Sequence, residues 1–212
     1  MTSILDFHTH RADAEGALVS MDPRQFAPQP GFWYSVGFHP WYGVEELTEA
    51  DFDLLEQCAR HPQVLAVGET GMDSLRGADL DIQAQVFVRH LHVAATVGKP
   101  VVVHCVRTAQ RIIDERRKAG LGNVKLAIHG MRANEQVARI LLNAGCYLSF
   151  GSRFNPATLL ATPLGRLLIE TDEAPMDINE VATTVAATLH LAPDEIIRIA
   201  VANARDFLSL SE

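Results

Sequence analysis

At 212 residues, with 48% hydrophobic side chains, the chain is long and apolar enough to bury a core, which excludes a disordered or fibrous protein and predicts a single globular domain over residues 1–212. A formal net charge of −8 excludes capture of polyanions by the mean field of the surface, so any contact with nucleic acid needs a locally basic groove. The three cysteines, Cys58, Cys105 and Cys146, stand in neither CxxC nor zinc-finger spacing, which excludes a disulfide or structural-zinc scaffold and reads as thiols in a reducing compartment.

In chain order, short apolar, β-rich runs occur at Ile4 to Phe7, Ala17 to Met21, Trp33 to Phe38, Val64 to Val67, Val101 to Val103, Val124 to Ile128, Cys146 to Phe150 and Arg166 to Ile169, and each predicts a strand. From Val64 onward the runs are separated by segments of helical periodicity, such as Ile82 to Val97, Ala109 to Ala119 and Glu135 to Ala144, the last two closed by Gly120 and Gly145. Continuous apolar strands with helices between them describe a covered parallel sheet, an α/β fold, and the number of units predicts a TIM-type (β/α)8 barrel. That barrel is expected to be trimmed or irregular in its first third. Between His10 and Ala17, and between Asp22 and Phe32, there is too little chain for crossover helices, and Pro23, Pro28 and Pro30 crowd the second gap. No stretch is long and apolar enough to span a bilayer, and the first residues lack the charged and apolar regions of a secretory signal. The expectation is a cytoplasmic protein with no membrane partner and no obligate protein partner.

The polar residues that matter follow those runs. Asp6-Phe7-His8-Thr9-His10 ends the first strand, and residues two apart on an extended chain point the same way, so His8 and His10 can face one cation. Glu69, His104, His129 and Asp172 each come at the carboxyl end of a later run. In a parallel barrel those ends converge on one face, so all six are expected in one pocket. Imidazole suits zinc and carboxylate also accepts magnesium or manganese, so the set can hold two divalent ions (Zn, Mg or Mn), with Glu69 able to bridge them. Two cations roughly 3.5–4 Å apart can activate a water and neutralise charge on the leaving group. Asp172 is then both ligand and proton acceptor, with Glu69 the second catalytic carboxylate.

Plainer readings apply elsewhere. His61, His90, His92 and His190, taken singly, are core or surface residues and receive no role. Cys105 follows His104 directly on a strand and so points the other way, as a packed thiol. Phe87, Leu91 and Ala94 at helical spacing are core.

The motifs Asp6-Phe7-His8-Thr9-His10, Gly37-Phe38-His39-Pro40, Val67-Gly68-Glu69-Thr70-Gly71-Met72-Asp73, Gln83 through Phe87, Pro100 through His104, His129 and Leu168-Ile169-Glu170-Thr171-Asp172 together resemble the TatD family of metal-dependent deoxyribonucleases, within the amidohydrolase superfamily, in a short variant form. The likeness runs from near Asp6 to near Phe207. It implies a TIM-type barrel, metals held at His8, His10, Glu69, His104, His129 and Asp172, His39 beside the substrate, and Asp172 as the catalytic aspartate. The chain departs from the family pattern in three places. The arginine expected two positions after His104 is Val106, with Arg107 next; the proline-rich, Asn/Arg-containing segment after Asp172 is missing; and Gly130-Met131-Arg132 replaces a Cys-Phe pair after His129.

The leading reading is therefore a metal-dependent hydrolase, a deoxyribonuclease cleaving phosphodiester bonds with metal-activated water, with Arg107 as a substrate contact and Arg132 and Arg153 as the other basic residues near strand ends. The acidic balance and shortened loops keep open a second reading, a small-molecule amidohydrolase or phosphoesterase on the same metals, so the partner is DNA or a small phosphoester substrate. A metal-binding protein without catalysis is the third, opposed by the presence of both Asp172 and Glu69.

Overall fold

The computed structural model describes residues 3–210. Its eight strands pair in parallel and follow one another in chain order, the topology of the TIM-type (β/α)8 class. They are β1 (Asp6–Thr9), β2 (Ala17–Met21), β3 (Trp33–Val36), β4 (Val64–Asp73), β5 (Val101–Val106), β6 (Leu126–Ile128), β7 (Tyr147–Phe150) and β8 (Leu167–Ile169). The helices are α1 (Glu49–Ala59), α2 (Leu80–Val97), α3 (Ala109–Lys118), α4 (Glu135–Asn143), α5 (Pro156–Leu160), α6 (Ile178–Leu189) and α7 (Pro193–Leu208). The trimming falls in the first third: β1 reaches β2 through turns, and only a 3-10 turn at Pro23–Gln25 separates β2 from β3. Pro23 suits the first position of that turn, where Asp22 accepts from the Arg24 N–H at 2.7 Å.

Helix α1 went unread in the sequence. Its start is marked by a capping box, in which the Asp51 carboxylate accepts from the Thr48 N–H at 2.8 Å and from the Thr48 hydroxyl at 2.7 Å.

The chain divides into two compact units, one joining the segment up to Val19 with the chain from Ala127, the other spanning Ser20–Leu126. In the first, β6, β7 and β8 pair in order, and an isolated parallel bridge, Thr9 to Asp172, carries the line of β8 beside β1. Helix α7 buries Ile196, Ala200, Ala204 and Phe207, a stripe at helical spacing. Phe207 meets Phe7 edge to face at 5.3 Å and Tyr147 at 5.2 Å, an arrangement that suits the charge distribution of aromatic rings.

In the second unit β3, β4 and β5 form the sheet, and α2 buries Ala84, Phe87, Leu91 and Ala94, as the spacing predicts. Strand β4 runs on to Asp73, well past the apolar run that announced it. A Cβ on Gly71 would stand 2.1 Å from the His104 carbonyl oxygen, and the Gly71 φ of +144° is one that other residues rarely adopt. Glycine there lets β4 pass close against β5, with a register shift between Val67 and Thr70. Glu69 and His104 consequently lie inside strands and not beyond them.

Because Phe207 is fully buried and contacts two rings, Phe207→Ala is expected to cost about 3–5 kcal/mol, read as a lower urea midpoint at unchanged slope. A loss below about 1 kcal/mol would remove Phe207 from the core.

Candidate metal centre

The first unit builds its cluster on the register between β1 and the chain after β8. The Asp172 N–H donates to the His8 carbonyl at 2.9 Å, and the His10 N–H donates to the Asp172 carbonyl at 3.4 Å. Behind this ladder the buried Asp6 carboxylate accepts from the Thr171 N–H at 2.8 Å and from the Thr171 hydroxyl at 2.6 Å. Burial pushes the Asp6 carboxyl above its usual range, against the pull of those two bonds. Arg11 reaches the same pair, 3.6 Å from the Asp6 carboxylate and 3.3 Å from the Thr171 hydroxyl.

This register brings side chains together. The Nε2 atoms of His8 and His10 lie 4.0 and 3.7 Å from one oxygen, Oδ1 of Asp172. His129, directly after β6, stacks its ring 4.2 Å from that of His8, and its Nδ1 is 3.5 Å from Oε1 of Glu170. Glu170 also accepts from the Gly130 N–H at 2.6 Å. Burial works to raise the Glu170 carboxyl, but the bond and charge of His129, helped by His8, hold it below the ordinary range. Ligand atoms of His8, His10 and Asp172, and likewise of His129, Glu170 and Asp172, lie within 4.8 Å of one another, so Asp172 belongs to both groups.

The second unit gathers His39, Glu69 and His104 by the same measure, within 4.8 Å. Oε1 of Glu69 is 2.9 Å from Nδ1 of His104 and 3.0 Å from Nε2 of His39. The other nitrogen of His104 is 3.3 Å from Asp73 Oδ2, which also accepts from the Trp41 indole N–H at 2.8 Å. Burial raises the Asp73 carboxyl, yet the bonds from the Leu75 N–H, Trp41 and His104 outweigh it and hold the group below the usual range. Gln83 ties the loop: its Oε1 accepts from the Asp73 N–H at 2.7 Å and its amide donates to the Arg76 and Ala78 carbonyls at 3.0 and 2.6 Å.

Of the residues singled out in the sequence, His8, His10, His129 and Asp172 meet in the first unit, and His39, Glu69 and His104 meet in the second. Arg107 is exposed, in a left-handed conformation at φ +56°, and makes no hydrogen bond or ion pair among the described residues. Three partners were missed. Glu170 precedes Asp172 by two, and Asp73 follows Glu69 by four, even spacings that place each on the same side of an extended chain and could have found them. His90, read as a core or surface residue without a role, is fully buried and has a structural task. Its Nε2 accepts from the Phe38 N–H at 2.9 Å while Nδ1 donates to the Val86 carbonyl at 2.8 Å, which fixes the neutral tautomer and the backbone next to His39.

Parallel strands alternating with helices, carrying clustered imidazole and carboxylate donors within the strands and just after them, define the class of TIM-barrel metal-dependent hydrolases. Nitrogen and oxygen donors in such groups suit zinc, manganese or magnesium. The model of the TatD related DNase family matches residues 24–209, and the chain belongs to that family. It is 28% identical over 197 residues to the metal-dependent hydrolase TatD of Mycobacterium tuberculosis, covering 81% of this chain and 74% of that protein. The human 3'-5' RNA nuclease TATDN2 is 28% identical over 151 residues, 66% of this chain and 20% of that protein. Among solved structures, the TatD homologue YjjV of Escherichia coli K12 superposes with a TM-score of 0.82 at 20% identity, covering 98% of each chain, which shows the fold. The chain is thus a metal-dependent hydrolase with a TIM-type barrel. No helix among the described residues is long and apolar enough to cross a membrane.

Burial depresses His90 from the usual 6.5 to about 4. A histidine held neutral in the fold contributes stability that is present above about pH 6.5 and is lost as the pH falls toward 4, because the unfolded chain takes up the proton first. His90→Gln, which keeps an acceptor but does not titrate, is expected to flatten the acid loss of stability over that window by about 3 kcal/mol, measured by urea melts at stepped pH. Identical pH profiles for the two proteins would remove His90 from this role.

Proposed function

We propose that this chain is a single hydrolase domain over residues 1–212 that cleaves phosphodiester bonds in nucleic acid, with DNA as the substrate, and that His8, His10, Glu69, His104, His129 and Asp172 ligate two divalent cations, zinc, magnesium or manganese. The observation that carries it is the placement of Asp172, whose carboxylate is shared by two groups of ligand atoms and is still about a quarter exposed. The Asp6 carboxylate, by contrast, is sealed and is spent on the Thr171 backbone and hydroxyl. The family match and the nuclease named among the relatives support nucleic acid as the substrate class. Cys58, Cys105 and Cys146 standing as thiols support a reducing, cytoplasmic setting.

When bound, the cations lower the pKa of water and neutralise charge on phosphoryl oxygens. The chain's own residues do the rest. Asp172 accepts the proton of the attacking water. Glu170 and Asp73, each buried, orient the imidazoles of His129 and His104 from behind. His39, only 15% exposed and tied to Glu69, faces the substrate, and Arg107 supplies an exposed cation for phosphate. The net charge of −8 favours a second reading, hydrolysis of a small phosphoester on the same ligands.

Purified protein is expected to digest single-stranded DNA with added Mg²⁺ or Mn²⁺ and to lose this with EDTA. Asp172→Asn should lower kcat by roughly 10²–10⁴-fold with the far-UV circular dichroism unchanged. Undiminished turnover in Asp172→Asn would reject the assignment, and hydrolysis of model phosphoesters without any on oligonucleotides would select the second reading. Glu170→Gln should reduce metal retained after dialysis, read by elemental analysis, as a loss of roughly 10–100-fold in affinity.

A further inference from the structure

Beside Asp172 the first unit forms an open cavity of about 550 Å³, walled by the chain following β6, β7 and β8. Its charged lining is Arg132, Arg153, Glu170, Asp172, Glu173 and Glu180. Counted by residue the wall is acidic, but most of its carboxylates are committed. Glu170 holds the Gly130 N–H and faces His129, and Glu180 closes the capping box of α6 by accepting from the Asp177 N–H at 2.9 Å. Asp172 is a ligand on the reading proposed above. What remains is Glu173 against two guanidinium groups. Arg132 sits 3.9 Å from Asp172 Oδ2, at the limit of an ion pair and 57% exposed. Arg153 is exposed and has no hydrogen bond or ion pair among the described residues.

Two arginines lightly held at the wall of a cavity, next to the carboxylate that would hold a cation, are arranged for an anion. Guanidinium presents a planar fork that matches a phosphate, and it is little hydrated compared with an ammonium group. The volume lies in the range of small-ligand sites, room for about one nucleotide. We infer that this cavity binds a phosphate group adjacent to the scissile one, gripped by Arg132 and Arg153. This rests on the phosphodiesterase reading and names the part of the substrate that this wall recognises. With its carboxylate committed to a cation, Asp172 competes less for Arg132, and the guanidinium turns to the phosphate. Arg132 stands in the chain after β6 and Arg153 in the chain after β7, so the two guanidinium groups come from separate loops of the same wall.

The test is calorimetric titration of inorganic phosphate into the manganese-loaded protein. Arg132→Ala and Arg153→Ala should each weaken phosphate by about ten-fold, the size expected for losing a hydrogen bond between charged groups. Glu173→Gln should tighten it, an opposite sign that a general loss of folding cannot produce. Manganese content and melting temperature should match the parent, since both arginines are exposed. On dinucleotides the arginine variants should raise KM with kcat within about two-fold, and lose any preference for a terminally phosphorylated substrate. Unchanged phosphate affinity in both arginine variants would overturn the inference, as would a loss that tracks manganese content. Arginine-dependent phosphate binding without phosphodiester turnover would sink the nuclease reading and leave the cavity standing; turnover with parental KM and phosphate affinity in both variants would do the reverse.

Discussion

The bond between the buried Asp6 carboxylate and Thr171 is the constraint on which the candidate centre of the first unit depends. A carboxylate removed from water is costly unless its lone pairs are used, and Thr171 supplies both a backbone and a hydroxyl donor. That pairing admits one alignment of β1 with the chain after β8, since a slip by one residue turns every side chain to the other face. The ladder from Asp172 to His8 and His10 then follows, and with it the approach of two imidazoles to one carboxylate oxygen. The cluster proposed to hold metal is thus aligned by a residue that is not itself among the proposed ligands.

Each unit repeats the same device at smaller scale. An imidazole at the front is paired with a buried carboxylate behind it, and that carboxylate is pinned by backbone N–H groups: Glu170 by Gly130, Asp73 by Leu75. The consequence is electrostatic as well as geometric, because both carboxylates are held ionised despite burial. Ionised partners favour imidazoles that are oriented and electron-rich, which is the state a cation requires. In the second unit the Gln83 side chain and the neutral His90 ring do for the loops around Asp73 and His39 what Thr171 does for Asp172.

The short connections of the first third have a structural effect. Less chain is spent on crossovers and loops, and the walls that remain are made of single residues near strand ends. Under those conditions the proposed recognition of phosphate falls to individual side chains, Arg132 and Arg153, and not to an extended loop with many contacts.

By itself the sequence determined the alternation of strands and helices, because short apolar runs and helical stripes are local consequences of burial, and it determined the ligand candidates through His-x-His spacing and the family motifs. The gaps before Ala17 and Phe32 were legible as trimming for the same reason: too few residues cannot make a crossover helix. Tertiary structure decided what depends on distant partners. The length of β4 past Val67 rests on a close approach of Gly71 to β5, and α1 declared itself by a cap and not by a long apolar stripe. Glu170 and Asp73 become partners of His129 and His104 only across the sheet, and Arg153 joins Arg132 only where a cavity brings the loops after β6 and β7 together. Local pattern records which face of an element is buried; which polar group meets which is set by pairing between elements far apart in the chain.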